Sequence, residues 1–313
     1  MTNREIDYSI VVPVMNEQEN VKRLYSAIKK VMDKLTPAYE IIFIDDGSTD
    51  DTYRILESIH NKDSKLKVIK FRGNFGQSPA TAAGFELAKG NVIITMDGDL
   101  QNDPRDIPNI LKKLDEGYDV VSGWRRNRKD KLILRKIPSK IANLIICKVT
   151  NVKLHDTGCA LKAYRANIIK RLNLYGEMHR FLPALARVEG AKIGEIEVNH
   201  HPRIFGVSKY NLTRTYKVIM DLMTLNIFIR YLNHPLYFFG KVATLLIMIA
   251  LLMSVTILIG DYWLSFTLEE FNNLIAVDFL LFVTGFQLLF IGLIGHIIIK
   301  TGQKRRFFLI EKS

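Results

Sequence analysis

The chain has 313 residues, a formal net charge of +12 at pH 7 and two cysteines. This length is enough for a large α/β core with an appended segment. The two cysteines show neither a Cys-x-x-Cys spacing nor a cluster with histidine, which argues against a zinc site. The basic balance suits a phosphate-bearing substrate, anionic lipid or nucleic acid, and the apolar C-terminal runs described below favour the first two over nucleic acid.

The first 125 residues alternate between strand and helix patterns. Apolar runs predict strands at 9–14, 40–44, 66–71, 91–96 and 119–124. The segments between them carry apolar residues at helical spacing. Strands that alternate with helices imply a parallel sheet covered on both faces, so we expect an α/β fold.

Residue types at two predicted helix starts indicate where those helices begin. Asn16 has Glu19 three positions on, which predicts a cap for the first helix. Pro79 is predicted at the first position of the third helix, where its missing N–H costs nothing. Both predictions concern loops that follow strands.

Polar clusters follow the predicted strands at their carboxyl ends. They are Asn16-Glu17, Asp45-Asp46, Asp97-Gly98-Asp99 and Arg125-Arg126. Ligands of parallel α/β sheets bind beyond the carboxyl ends of the strands. We therefore expect these clusters to form one composite site.

The two acidic clusters predict different roles. Asp97 and Asp99, with Gln101, offer oxygen ligands for Mg²⁺ or Mn²⁺, which usually share their ligands with substrate phosphates. Carboxylates at Asp45 and Asp46 could accept hydrogen bonds from a base N–H or a ribose hydroxyl. Each pattern has a plainer alternative, because acidic pairs often end strands and the residues 45–50 also suit a helix cap and turn.

Basic residues predict phosphate binding. Arg125 follows a strand, Arg135 opens an amphipathic pattern at 135–149, and Arg203 and Lys209 flank a glycine. Arginine grips phosphate oxygens in a bidentate fork and lysine adds a point charge. A basic face touching anionic lipid is the alternative for any one of them.

Two long apolar runs, 236–259 and 276–299, are each long enough to cross a bilayer. The polar N-terminus predicts no signal peptide, and the basic tail after the second run predicts that both termini are cytoplasmic, with the acidic link 261–274 outside. The predicted divisions are 1–210 as a catalytic domain, 211–235 as juxtamembrane amphipathic helices, 236–300 as two transmembrane helices and 301–313 as a basic tail.

Taken together, these motifs resemble glycosyltransferase family 2, and within it the dolichol-phosphate mannose synthase and bactoprenol glucosyltransferase branch. The resemblance runs along the whole chain. It rests on the segments 10–17, 45–50, 74–76, 97–101, 122–125, 135–139, 156–159 and 203–209, and on the two C-terminal apolar runs. It implies a GT-A fold with a Rossmann-like, mostly parallel sheet.

The resemblance also implies roles for individual residues. Nucleotide-sugar binding is implied for Pro13, Glu17, Asp45, Asp46, Gly76, Asp97, Arg203 and Lys209. Metal binding, of Mg²⁺ or Mn²⁺, is implied for Asp97, Asp99 and Gln101. Lipid-phosphate binding is implied for Arg125, Arg135 and Ser139. The implied catalytic set is Asp97, Asp99, Arg125 and Asp156, with Asp156 as an orienting group.

The function implied by the resemblance is inverting transfer of a hexose, glucose from UDP-glucose, to undecaprenyl phosphate at the inner membrane. The surface that two membrane helices expose in lipid favours a dimer or tetramer. The product would be a polyprenyl-monophosphate sugar for export and glycan modification. Mannose, N-acetylated sugars and aminoarabinose derivatives stay open, as does GDP in place of UDP. One alternative is a processive polysaccharide synthase, although residues 303–307 lack the tryptophan of the QxxRW motif of those enzymes. A second alternative is a non-catalytic membrane scaffold.

Overall fold

The computed structural model describes residues 6–126, 154–172, 178–202, 235–263, 272–301 and 310–312. The described residues up to 202, together with 310–312, form one compact unit, and those from 235 to 301 form a second. Several predictions lie outside the described residues: the amphipathic segments at 135–149 and 211–233, the basic tail at 302–309, and Arg135, Ser139, Arg203 and Lys209.

The first unit is built on a mixed sheet. Its strands are β1 (Tyr8–Val14), β2 (Tyr39–Asp45), β3 (Leu66–Phe71), β4 (Val92–Thr95), β5 (Val120–Trp124), β6 (Lys162–Arg165), β7 (Ile193–Glu197) and β8 (Ile310–Lys312). They lie in the order β7-β5-β6-β4-β1-β2-β3-β8. The first five strands agree with the predicted ones to within one residue at each end.

The direction of the strands confirms the mostly parallel sheet that the resemblance implies. Four strand pairings are parallel, as the alternation of strands and helices predicts. However, β6 runs antiparallel to both β4 and β5, and β8 runs antiparallel to β3. The sheet is therefore mixed, with parallel pairings in the majority, as predicted.

Helices pack on the sheet through their apolar faces. They are α1 (Val21–Leu35), α2 (Thr52–His60), α3 (Gln77–Leu87), α4 (Ile107–Asp115), α5 (Ala166–Ile169) and α6 (Leu182–Val188). On α1 the buried positions are Val21, Leu24, Ile28 and Met32, spaced three and four apart as one helix face requires. These side chains join one core with β-strand residues such as Ile10 and Phe43.

Both predicted helix starts are wrong by a few residues. The first helix begins at Val21, so Asn16 is not its cap. Asn16 instead has a positive φ of 55°, and its Oδ1 accepts a hydrogen bond from the Thr49 N–H at 2.8 Å. That bond joins the loops after β1 and β2 and competes with capping. The third helix begins at Gln77, which puts Pro79 at the third helical position.

The second unit is a pair of apolar helices, α7 (Pro235–Trp263) and α8 (Asn272–Thr301). They contain stretches of 26 and 27 residues that are long and apolar enough to cross a membrane, and most of their side chains are exposed. The helices touch at small residues, since a Cβ on Gly285 would lie 2.6 Å from Ile247 Cγ1. Ser254 Oγ donates to Asp278 Oδ2 across the pair at 2.6 Å.

Candidate active site

The sheet topology brings the predicted polar clusters to one edge. β1, β2, β4 and β5 point their carboxyl ends in the same direction. Because β6 runs the opposite way, the residues that precede it, 154–161, reach that same edge. The acidic clusters after β2 and β4, the arginine after β5 and Asp156 before β6 therefore meet there.

The turn after β4 holds Asp97 and Asp99. Asp99 is buried and Asp97 is partly exposed. Gly98 lies between them because a Cβ there would meet Val14 Cγ1 at 2.6 Å. The turn is further fixed by the Gln101 N–H, which donates to Asp99 Oδ1 at 3.1 Å. The two carboxylates are thus held close together at the open end of the sheet.

Repulsion between like charges acts in this turn. Burial, and then the negative charge of Asp99, raise the pKa of Asp97 to about 6, against the opposing effect of Arg125. A divalent cation would relieve that repulsion. The described residues contain no group of three His, Cys, Asp or Glu able to hold a metal. A cation here would need further oxygens, and Mg²⁺ and Mn²⁺ take these from water, amides and substrate phosphates. The donor set fits either ion.

Hydrogen bonds with His201 hold Gln101 in place. The His201 N–H donates to Gln101 O at 2.9 Å, and Gln101 Nε2 donates to His201 O at 3.4 Å. His201 Nε2 also lies 2.9 Å from Asp103 Oδ2. His200 pairs with Asn102 in a β-bridge, as expected of a strand end rather than a metal site. The segment that leads towards residues 203–209 therefore begins at the turn that carries the carboxylates.

The Asp45–Asp46 pair makes different contacts. Both oxygens of Asp46 accept backbone N–H groups, from Phe75 at 2.7 Å and from Gly76 at 2.9 Å. Asp45 Oδ1 accepts the Ser48 N–H at 3.1 Å, whereas its buried Oδ2 has no hydrogen-bond partner among the described residues. Burial raises the pKa of Asp45. Asp46 thus orders the loop before α3, and Asp45 keeps one unsatisfied acceptor.

Arg125 and Asp156 form a bidentate ion pair. The Arg125 Nε–Asp156 Oδ2 distance is 2.6 Å and the Nη2–Oδ1 distance is 3.0 Å. Their side chains are only 11% and 13% exposed, so water screens the pair weakly. These two bonds fix the orientation of the Arg125 guanidinium. Its other N–H groups can donate to a ligand.

Pro13 and Glu17 lie at the end of β1 and in the loop after it. The Glu17 N–H donates to Thr52 Oγ1 at 2.8 Å, and Glu17 Oε2 accepts from Asn20 Nδ2 at 2.6 Å. Glu17 is therefore held at the same edge of the sheet as Asp45. The roles implied for Arg135, Ser139, Arg203 and Lys209 stay predictions, since these residues lie outside the described part of the chain.

Sequence reasoning missed two residues of this site. Gln77 Nε2 donates to Asp97 Oδ1 at 2.8 Å. Lys162, only 3% exposed, donates from Nζ to Thr157 O at 3.2 Å, and burial lowers its pKa. Gln77 directly follows the 74–76 segment, and that position could have indicated that it belongs to the site. A lysine in a short strand gave none, because such a residue is usually exposed.

Comparison with known sequences identifies the family. Residues 9–172 match Glycosyl transferase family 2. A dodecaprenyl-phosphate galacturonate synthase of Rhizobium johnstonii is 40% identical over 95% of this chain and 89% of its own length. An undecaprenyl-phosphate 4-deoxy-4-formamido-L-arabinose transferase of Aeromonas hydrophila is 37% identical over 95% of this chain and 90% of its own.

Solved structures share the fold. The glucosyl-3-phosphoglycerate synthase of Mycobacterium tuberculosis, crystallised with Mn²⁺, uridine diphosphate and phosphoglyceric acid, has a TM-score of 0.55 at 17% identity, over 71% of this chain and 78% of that one. These neighbours have the GT-A fold, and the mixed sheet with its flanking helices is a GT-A-like domain. The chain belongs to glycosyltransferase family 2.

Proposed function

We propose that the protein transfers a sugar from a UDP-sugar to polyprenyl phosphate at the cytoplasmic face of the plasma membrane. The observation that carries this proposal is the meeting of two charge arrangements at one sheet edge. The Asp97–Asp99 pair suits the metal-bound diphosphate of a donor, and the Arg125–Asp156 pair presents a fixed guanidinium to a second phosphate. The names of the two relatives support polyprenyl phosphate as the acceptor.

The donor half of the site has a place for each part of a nucleotide-sugar. The unsatisfied Oδ2 of Asp45 suits an N–H of the base. Asp97, Asp99 and Gln101 would hold Mg²⁺ or Mn²⁺, which when bound would offset the charge on the leaving diphosphate. We expect Arg203 and Lys209 to contact that diphosphate.

The acceptor half is centred on Arg125, with Arg135 and Ser139 as predicted partners. An oxygen of the lipid phosphate bonds to the anomeric carbon as the bond from that carbon to the diphosphate oxygen breaks. Attack on the face opposite the leaving group inverts the anomeric centre. The phosphate is already an anion at neutral pH, so no strong base is needed and alignment supplies most of the catalysis. Asp156 orients Arg125.

The identity of the transferred sugar is proposed separately from the reaction type. Glucose stays a sequence-based prediction, while the two relatives are named for galacturonate and 4-deoxy-4-formamido-L-arabinose. These three sugars define the donors to test. Undecaprenyl phosphate is the acceptor of choice, because it is named for one relative.

The membrane arrangement is supported by β8. This strand follows α8 in the chain and pairs with β3 of the catalytic unit. The tail and that unit then lie on the same side of a membrane, as two spans require. The charge pattern makes that side the cytoplasm. The largely exposed apolar surfaces of α7 and α8 support a dimer or tetramer in lipid.

The test is a donor screen with the full-length protein in membranes that contain undecaprenyl phosphate. UDP-glucose, UDP-galacturonate and UDP-4-deoxy-4-formamido-L-arabinose, each radiolabelled, are supplied with Mn²⁺ or with excess chelator. We expect one of them to give a lipid-extractable monophosphate sugar only when the metal is present. A long polymer would favour the processive synthase, and full activity in chelator would contradict the metal-dependent mechanism.

A pair of variants tests the two phosphate sites. Loss of one charged contact costs about 1.5–3 kcal/mol, roughly ten- to a hundredfold in the affected constant. Arg135→Ala should raise the KM for undecaprenyl phosphate and leave UDP affinity, measured by calorimetry, unchanged. Lys209→Ala should weaken UDP-sugar binding or the chemical step. The reverse pattern would show that the two sites are wrongly assigned.

A further inference from the structure

Gln77 lies against the first carboxylate of the Asp97–Asp99 pair. It is the first residue of α3, and its Nε2 donates a hydrogen bond to Asp97 Oδ1 at 2.8 Å. This bond ties the start of a helix to the turn after β4. Neither the sequence patterns nor the family resemblance assigns a role to this side chain.

The backbone on both sides of Gln77 is held in place. On one side, the Gly76 N–H donates to Asp46 Oδ2 at 2.9 Å. On the other, Ser78 Oγ lies 2.8 Å from His179 Nδ1 and accepts the His179 N–H at 3.1 Å. Because its neighbours are anchored to Asp46, just after β2, and to the turn Met178–Phe181, Gln77 approaches Asp97 from a fixed position.

A side-chain amide is well suited to orienting a metal-binding carboxylate. Its N–H is neutral, so it directs the carboxylate without cancelling the charge that attracts a cation. A lysine or arginine in its place would cancel that charge. Gln77 engages Asp97 Oδ1, and no hydrogen bond from the described residues reaches Asp97 Oδ2. The second oxygen is left available.

We propose that Gln77 is a positioning residue for the metal site, which fixes Asp97 by one oxygen and leaves the other to meet a divalent cation. Partners of this kind, which orient a ligand without touching the metal, typically change metal affinity ten- to a hundredfold. The inference rests on the proposed function, because it requires a cation at Asp97 and Asp99.

The competing role for Gln77 is purely structural, as an N-terminal residue of α3. Metal affinity separates the two roles. The experiment measures Mn²⁺ binding to the full-length protein in detergent, with UDP present, by the loss of the free Mn²⁺ signal in electron paramagnetic resonance. Gln77→Met keeps the length of the side chain and removes its donor, and Gln77→Ala gives a second variant should the first fold poorly.

The matched control is Gln18→Ala. Gln18 Oε1 accepts the Asp51 N–H at 3.1 Å in exposed loops and makes no contact with Asp97. We expect about ten- to a hundredfold weaker Mn²⁺ binding in both Gln77 variants and no change in the control. Melting temperatures should stay at the wild-type value, and turnover should recover as Mn²⁺ is raised.

Mn²⁺ affinity within twofold of wild type in Gln77→Met would overturn the inference and leave the proposed function standing. An equal loss in Gln18→Ala would also overturn it, because the effect would not depend on the Asp97 contact. If the wild-type protein with UDP bound no Mn²⁺, the metal-dependent function would fail first and the role of Gln77 with it.

Discussion

Two acidic pairs follow β2 and β4 of one sheet, and their carboxylates make different contacts. Asp46 is satisfied by two backbone N–H groups, so it already serves the loop before α3. Asp97 and Asp99 repel each other, and burial together with that repulsion raises the pKa of Asp97. Asp46 is thus engaged by the fold, whereas like-charge repulsion acts within the Asp97–Asp99 pair.

The difference shows that an acidic pair at a strand end does not by itself define a ligand site. The number of N–H groups that reach each carboxylate decides its role. Asp45 is intermediate, since one oxygen accepts the Ser48 N–H and the other has no partner among the described residues. Substitutions at Asp99, Asp46 and Asp45 test this contrast.

Asp99→Asn should remove nearly all transfer and leave the fold intact. The change deletes one of the two negative charges that would hold a cation, and we expect a loss of at least about a hundredfold in kcat/KM. Transfer assays and melting temperature are measured together. Asp51→Asn, an exposed aspartate, is the control. Substantial activity in Asp99→Asn would mean that this pair is not the metal site.

Asp46→Ala should act mainly on stability. Two backbone N–H groups, of Phe75 and Gly76, lose a charged acceptor, which costs about 1.5–3 kcal/mol. A melting temperature several degrees lower should accompany weaker UDP binding, because the loop before α3 is no longer held. A variant with wild-type stability and no activity would reverse the contrast between the two pairs.

Asp45→Asn should have the smallest effect on stability, and that effect should depend on pH. Since burial raises the pKa of Asp45, the folded protein binds the proton more tightly than the unfolded chain. The stability that this provides is present below about pH 4 and is lost as pH rises through the raised pKa. Melting temperatures between pH 4 and 7 should therefore fall less in the variant. Parallel curves would show that the carboxyl group does not titrate in this range.

Much of the fold followed from the sequence. β1 to β5 are predominantly apolar runs that end in turn residues, and such runs favour buried strands. β6 was missed because its four residues, Lys162–Arg165, begin and end with basic side chains and leave only Ala163 and Tyr164 between them, which is too short for a recognisable apolar run. Tertiary packing buries Lys162 there, although lysine side chains are usually exposed. The start of α1 was misplaced because Asn16 bonds across to Thr49, a contact that no local pattern shows.

The site was predictable at the level of its charged residues. Asp97, Asp99 and Arg125 stood out by type and position, Asp156 came only from the family resemblance, and the topology brings all four to one edge. What could not be predicted was which atoms are already engaged. Asp156 forms a bidentate ion pair with Arg125, and Gln77 donates a hydrogen bond to Asp97. Both contacts join segments that are far apart in the chain, so no local pattern shows them.

The pairing of β8 with β3 has a consequence for shortened versions of the protein. A soluble fragment that ends before α7 would lose residues 310–312 together with both apolar helices. The outer side of β3 would then present unpaired N–H and C=O groups, and an exposed strand edge recruits other chains. Aggregation of such a fragment would arise from its newly opened edge and not from a poorly folded core. Rejoining residues 310–312 through a short flexible linker would close that edge again.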